Sequence, residues 1–146
     1  RRFKPQQLSN LAWAFAALGF RDYDFLRALA AQAPTTLEHF APQGLSNLAF
    51  ACATLGLRDS TIYGLIAKRL ETMMLSREWE AGAGTAIADF AKDVIGTLWA
   101  LSVARALQRS TLQSARRILD EIGHTLDMAS GSSGRQARGS GAGGTL

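Results

Sequence analysis

Cysteine, histidine, proline and charge are all scarce in this chain of 146 residues. The single cysteine, Cys52, excludes a disulfide framework, and its place on the apolar stripe of a predicted helix indicates a packed thiol. The two histidines, His39 and His124, lie far apart and have no metal-binding partner at helical spacing. No apolar run approaches the ~20 residues that a membrane span needs. We therefore expect no disulfide, no metal site and no membrane insertion.

Catalytic motifs are missing as well. The glycine-rich stretches at 81–84 and 139–144 lack the GxxxxGK[ST] pattern and the preceding strand that a phosphate loop needs. Glu78 and Glu80 lie two residues apart in a polar stretch, where solvated carboxylates are expected rather than an acid and base pair. We predict that the protein is not an enzyme and binds no cofactor.

The sequence does have many apolar residues and a small excess of positive charge. Apolar residues make up 47% and charged residues 19% of the chain, which is typical of one globular domain. A formal net charge of +4 permits an anionic partner without requiring one. The chain begins without a methionine or a visible presequence, so we expect it to be a piece of a longer protein.

The strongest pattern is an internal repeat. Residues 3–22, FKPQQLSNLAWAFAALGFRD, return as residues 40–59, FAPQGLSNLAFACATLGLRD, at an offset of 37 residues. An offset of this size is typical of structural repeats that stack on one another. In each copy apolar residues recur at helical spacing and a proline suits the first turn. Gly19 and Gly56 suit the left-handed residue just past each helix.

A second, different helix follows each copy, so the predicted unit is a helical hairpin. Asp22 is expected to cap the second helix of the first unit, and Pro34 to end it. Asp59 or Ser60 is expected to begin the corresponding helix of the second unit.

A degenerate third unit follows if Trp99 is aligned with Trp13, at an offset of 49 residues from the second copy. The extra residues fall at 76–88, which we predict to be a loop insertion with at most one helical turn. The last helix is predicted over roughly 111–128, and the Gly/Ser-rich residues 129–146 are predicted to be a flexible tail. The expected fold is all-α, an α-solenoid of about three hairpin repeats at 3–39, 40–88 and 89–128.

The sequence motif PQxLSNLAxA, with an aromatic one turn after the asparagine and LG at the end, resembles the repeats of a known family. It is similar to the heptatricopeptide repeats of apicomplexan and dinoflagellate organelle proteins and to the octotricopeptide repeats of green algal organelle proteins. Both groups are related to FAST-kinase-like RNA-binding proteins. The resemblance implies an α-solenoid that binds RNA in a mitochondrion or plastid. Nothing in this chain resembles the RAP domain that often ends larger members.

Two roles are open on this basis. The first is RNA binding, in RNA metabolism or as an RNA-coating subunit of a ribonucleoprotein such as an organellar ribosome, where other proteins are also partners. The second is an architectural solenoid that binds proteins in a larger organellar assembly.

Candidate RNA contacts come from polar residues of the first helices and from basic residues at helix ends and on second helices. Stacked hairpins should align Arg21 with Arg58, and we expect Arg105 at the corresponding place of the third unit, in a track for a phosphate backbone. The alternative is a purely structural turn, in which arginine meets the carbonyl end of one helix and aspartate caps the next. The full candidate set is Lys4, Gln7, Asn10, Arg21, Asn47, Arg58, Lys68, Arg69, Arg105, Arg109, Arg116 and Arg117.

Two repeated features have both a structural and a functional interpretation. Asn10 recurs unchanged as Asn47, which favours hydrogen bonds to the backbone of a neighbouring helix over base recognition. Trp13, Phe50 and Trp99 provide one aromatic in each first helix. We expect these aromatics to pack in the core between adjacent units, with stacking on bases as the alternative.

Overall fold

The chain folds into helices. The computed structural model describes residues 3–82 and 84–136, with side chains in the last helix up to Ser132. The α-helices are α1 (Pro5–Ala17), α2 (Tyr23–Thr36), α3 (Pro42–Thr54), α4 (Ser60–Ser76), α5 (Gly84–Val103) and α6 (Arg109–Gln136). Short 3-10 helices span Leu37–His39 and Glu78–Ala81. These residues contain no strand, so the all-α prediction is confirmed for this part of the chain.

The helices lie in two rows. The most extensive contacts are those of α3 with α1 on one side and with α5 on the other. In the second row α4 contacts both α2 and α6, and it also packs against α3. Within the described ranges, no helix is both long and apolar enough to cross a membrane.

The core lies between the two rows and is densest around α3. Leu45, Leu48 and Cys52 are each at most 1% exposed, and Ile62 and Ile66 of α4 are equally buried. Burial raises the pKa of the Cys52 thiol to about 12, because the thiolate would lose its hydration. The predicted packed thiol is confirmed.

The three connections between rows share one geometry. After α1, α3 and α5 the chain passes through a left-handed residue, namely Gly19 (φ 65°), Gly56 (φ 75°) and Arg105 (φ 57°). The next amide then donates to a carbonyl five residues back, in the pairs Phe20 to Phe15, Leu57 to Cys52 and Ala106 to Leu101. These bonds recur at the offsets seen in the sequence, so Trp99 occupies the place of Trp13. The predicted left-handed glycines are confirmed.

The caps of the second helices are also as predicted. One carboxylate oxygen of Asp22 accepts the amides of Asp24 and Phe25, both at 3.0 Å. Asp59 accepts the amide of Thr61 at 2.9 Å. Each acidic side chain satisfies amides that have no partner within the first helical turn.

The first two boundary predictions differ from the structure for local reasons. Pro34 does not end α2, which continues to Thr36. A proline this near the end removes few backbone hydrogen bonds of the helix, and the Thr36 hydroxyl donates to the Gln32 carbonyl. The helical turn predicted within 76–88 is present as the 3-10 helix Glu78–Ala81, but the loop is shorter than predicted, because α5 begins at Gly84. Trp79 lies in this 3-10 helix, where it is only 6% exposed and stacks on Phe90 of α5.

The last helix is longer than predicted. It continues past Met128 to Gln136, and the hydroxyls of Ser130 and Ser132 donate back to carbonyls of their own helix. The first part of the predicted tail is therefore helical, and residues 137–146 lie outside the described residues. The first half of α6 is held to the rest of the fold by two polar contacts. Thr111 donates to Glu71, and Arg77 pairs with Glu121.

Backbone strain at the connections gives a stability test. Gly56→Ala should lower the free energy of unfolding by about 1–2 kcal/mol, because a left-handed alanine places its Cβ against the following carbonyl oxygen. No other atom lies within 4 Å of that Cβ, so the loss reports strain alone. Arg105→Gly should instead raise stability by up to ~1 kcal/mol.

Urea unfolding curves measure both changes, and Gly64→Ala is the matched control. Gly64 lies within α4 with open space around it and no left-handed φ, so this variant should gain roughly 0.5–1 kcal/mol. A Gly56→Ala variant as stable as Gly64→Ala would contradict the account.

Candidate nucleic-acid interface

A shallow groove crosses the exposed face of the first row. We call it the aromatic groove; it has a volume of about 370 Å³ and is lined by Trp13, Ser46, Asn47, Phe50, Gly96 and Trp99. Trp13 is 50% and Trp99 49% exposed, whereas Phe50 is half-buried. The rings of Phe50 and Trp99 stack with centroids 5.6 Å apart. One aromatic from each first helix thus lies on the same open surface.

The prediction that these aromatics pack in the core is wrong for Trp13 and Trp99, whereas Phe50 is partly buried against the core and stacks on Trp99. Ala12 and Ala49, which precede Trp13 and Phe50, are completely buried. Because successive residues of an α-helix are rotated by about 100°, the next side chain is directed away from that contact. Small alanines bring the helices together and leave the large rings outside.

The repeated serines fix how closely the helices of the first row approach. A Cβ on Gly44 would lie 3.4 Å from the Ser9 Oγ, and one on Gly96 would lie 2.4 Å from the Ser46 Oγ. Ser9 is 1% exposed and its hydroxyl donates to the Gln6 carbonyl. Within the recurring Ser-Asn pair, the serine therefore makes the contact between helices.

The repeated asparagines do not have the predicted structural role. Asn10 is exposed and Asn47 half-buried at the groove. Side-chain hydrogen bonds between helices or to their connections come, in the described chain, from Tyr63, Arg69, Arg77 and Thr111 instead. The third unit has Gly96 at this place, because the approach of Ser46 leaves no room for a side chain there.

Basic residues gather at the connections between the rows. Arg58, Lys68 and Arg105 line a cavity of about 930 Å³ between the second and third hairpins. Arg21 and Arg58 line a neighbouring cavity of about 630 Å³. Since Arg58 borders both cavities, the three arginines follow one another along one side of the molecule. We call this row, Arg21, Arg58 and Arg105, the arginine edge.

The arginines of the arginine edge form no ion pair with a described carboxylate. Asp59 and Glu71 also line the larger cavity, where Asp59 caps α4 and Glu71 accepts the Thr111 hydroxyl. The ion pairs found among the described residues involve Arg27 and Arg77, and His39 contacts Glu38. The guanidinium groups of the three arginines are therefore available to pair with an anion.

One detail of the predicted arginine column is wrong. Arg105 takes the left-handed place of Gly19 and Gly56, and Leu107 occupies the place of Arg21 and Arg58. Arg105 still lines the same cavity as Arg58, because the left-handed position and the position two residues after it lie in one tight turn.

The remaining candidates lie elsewhere. Arg69 is half-buried and its Nη2 donates to the Phe40 carbonyl at 3.0 Å, which ties α4 to the connection before α3. Gln7 accepts the Lys4 amide at 3.0 Å and so caps α1. Arg109, Arg116 and Arg117 are exposed on α6, and Arg117 lines a separate small cavity.

Comparison of the chain with protein-family models, with curated proteins and with solved structures finds no match. The candidate interface therefore rests on the geometry of this chain itself.

The exposure of the groove aromatics is directly measurable. Trp13 and Trp99 should be quenched strongly by acrylamide, because about half of each side chain meets solvent, whereas Trp79 should be protected. Three variants that each keep one tryptophan and replace the other two by phenylalanine separate the signals. Equal quenching of Trp13 and Trp79 in these variants would contradict the exposed groove.

Proposed function

We propose that this protein is an RNA-binding α-solenoid built of helical-hairpin repeats, with bases on the aromatic groove and phosphates on the arginine edge. One observation carries the proposal: the three first helices each present one aromatic ring at an equivalent position on the same open face. The repeat offset, the shared connection geometry and the side-by-side contacts of α1, α3 and α5 support the solenoid architecture.

The groove suits unpaired bases. Stacking of a base on an aromatic side chain contributes roughly 1–3 kcal/mol, and it tolerates any base because every base has a π-face. The rings of Phe50 and Trp99 stack on each other with centroids 5.6 Å apart, so together they offer one stacking surface to a splayed single strand, and Trp13 offers another on the neighbouring helix. Double-stranded RNA has its bases already stacked and does not fit this surface.

Asn47 adds a means of discrimination to the stacking surface. Its amide offers both donors and an acceptor, which allows hydrogen bonds to a base edge beside Phe50. Asn10 offers the same groups one repeat earlier, whereas Gly96 offers none. Recognition of the base at the third unit therefore depends on stacking with Trp99 alone.

The arginine edge lies within reach of the same strand. Arg105 follows Trp99 by six residues, which is about 9 Å along a helix axis. Arginines so placed meet phosphates without sequence preference, and they set the register of the strand on the row.

The resemblance to heptatricopeptide and octotricopeptide repeats supports a mitochondrial or plastid setting. RNA metabolism or the coating of RNA in an organellar ribonucleoprotein is the proposed context. The alternative, an architectural solenoid that binds only proteins, predicts no saturable RNA binding even at low salt.

Removal of the groove aromatics should weaken RNA binding while the protein stays folded. Trp13→Ala and Trp99→Ala should each lower the affinity for a single-stranded oligonucleotide by about fivefold or more, since each variant loses one stacked base. The melting temperature should fall less than it would for a buried tryptophan, because about half of each ring is exposed. Leu75→Ala is the control, since Leu75 is 72% exposed on α4, outside the groove. A large loss of stability with unchanged affinity would contradict the proposal.

The arginine edge should control the salt dependence of binding. The triple variant Arg21→Gln, Arg58→Gln, Arg105→Gln should flatten the slope of log affinity against log salt by about two units, since each arginine releases ~0.7 counterion from a single strand. Arg27→Gln is the control, because Arg27 already pairs with Asp24 on α2. An unchanged slope in a folded triple variant would confine these arginines to a structural role.

A further inference from the structure

A further cavity lies at the opposite end of α3 from the arginine edge. It has a volume of about 540 Å³ and borders Pro42 and Gln43 at the start of α3. Its apolar lining includes Phe40, Met73, Trp79 and Phe90, and its acidic lining is Glu78, Asp89 and Asp93. We call it the acidic cavity. The 3-10 helix Glu78–Ala81 and the beginning of α5, which lengthen the third unit, form one of its walls.

Two buried hydrogen-bond donors at this cavity have no acceptor. The Trp79 Nε1 and the Arg69 Nε are both buried, and neither has a partner among the described residues. Trp79 is 6% exposed as a whole, so its indole N–H is held in place by packing. Buried donors in folded proteins are nearly always paired, and an unpaired donor costs about 1–3 kcal/mol. A bound acceptor would remove this cost.

The charge of the cavity is opposite to that of the arginine edge. The three carboxylates face one guanidinium, Arg69, and the imidazole of His39, which lies 3.3 Å from Glu38. None of the three forms an ion pair with another described residue. Burial raises the pKa of the Asp93 carboxyl, Lys92 lowers it, and Asp89 adds a smaller upward contribution. On a chain of net charge +4 this surface repels RNA and attracts cations.

We propose that the acidic cavity is a docking site for a basic peptide segment of a protein partner. An apolar side chain of the segment fills the cavity beside the stacked rings of Trp79 and Phe90. Flanking lysines or arginines meet the carboxylates of Asp89 and Asp93. Backbone carbonyls accept from the Trp79 and Arg69 donors after the side chains that cover these two nitrogens move aside. One occupant thereby satisfies the shape, the charge and the unpaired donors together. The site does not depend on RNA binding, since it lies at the other end of α3.

Nuclear magnetic resonance of the labelled chain tests this, with the Trp79 indole N–H and the Arg69 Nε–H as reporters. The probes are short capped peptides containing Lys-Leu-Lys or Arg-Phe-Arg, and matched peptides with glutamate in place of each basic residue. The basic peptides should shift both signals in a saturable way and the acidic peptides should not. A third probe, oligo-uridine, should leave both signals in place.

The combination Asp89→Asn with Asp93→Asn should weaken peptide binding by about fivefold to tenfold. Asp24→Asn with Asp120→Asn, two exposed carboxylates outside the cavity, should leave it unchanged. Ala86→Trp places a large side chain at the cavity wall and should also weaken peptide binding. It provides a second test of the site if the first variant fails to fold. Absence of saturable shifts, equal binding of the acidic peptides, or shifts caused by oligo-uridine would each overturn the proposal.

Discussion

The burial of α3 on both of its sides is the constraint on which the structure depends. This helix carries no charge, and Leu45, Leu48 and Cys52 on it are almost completely hidden from solvent. At about 25 cal/mol for each Å² of apolar surface removed from water, a helix of this composition is stable only with neighbours on several faces. α1 and α5 supply the flanking contacts, and α4 covers the side directed toward the second row.

The same constraint positions both surfaces of the candidate interface. Close approach of α1, α3 and α5 needs small residues at the contacts, and Ala12, Ala49 and Gly96 meet this need. The bulky rings beside them are left on the open face, where they line up as the aromatic groove. Because each helix of the first row leaves through the same left-handed turn, the basic residues of the turns also come into one line. Groove and edge are thus two consequences of one packing arrangement.

Sequence reasoning predicted the features that local chemistry determines. The helices, the glycines Gly19 and Gly56 and the caps at Asp22 and Asp59 each follow from the conformational preference of one residue. The orientation of Trp13 was missed, although the polar Asn10 precedes it by three residues and so lies on the same face of α1. The position of Arg105 was predicted two residues too late in the turn, although the alignment of Trp99 with Trp13 already sets Arg105 at the place of Gly19.

The central claim is that single-stranded RNA lies on the first row of helices. Photocrosslinking of an oligonucleotide containing 4-thiouridine, followed by mass spectrometry of the attached peptides, tests this most directly. The account predicts crosslinks at Trp13, Phe50 and Trp99 in α1, α3 and α5, which disappear at high salt together with binding. Crosslinks confined to α2, α4 and α6, or no crosslinks at low salt to the folded protein, would contradict it.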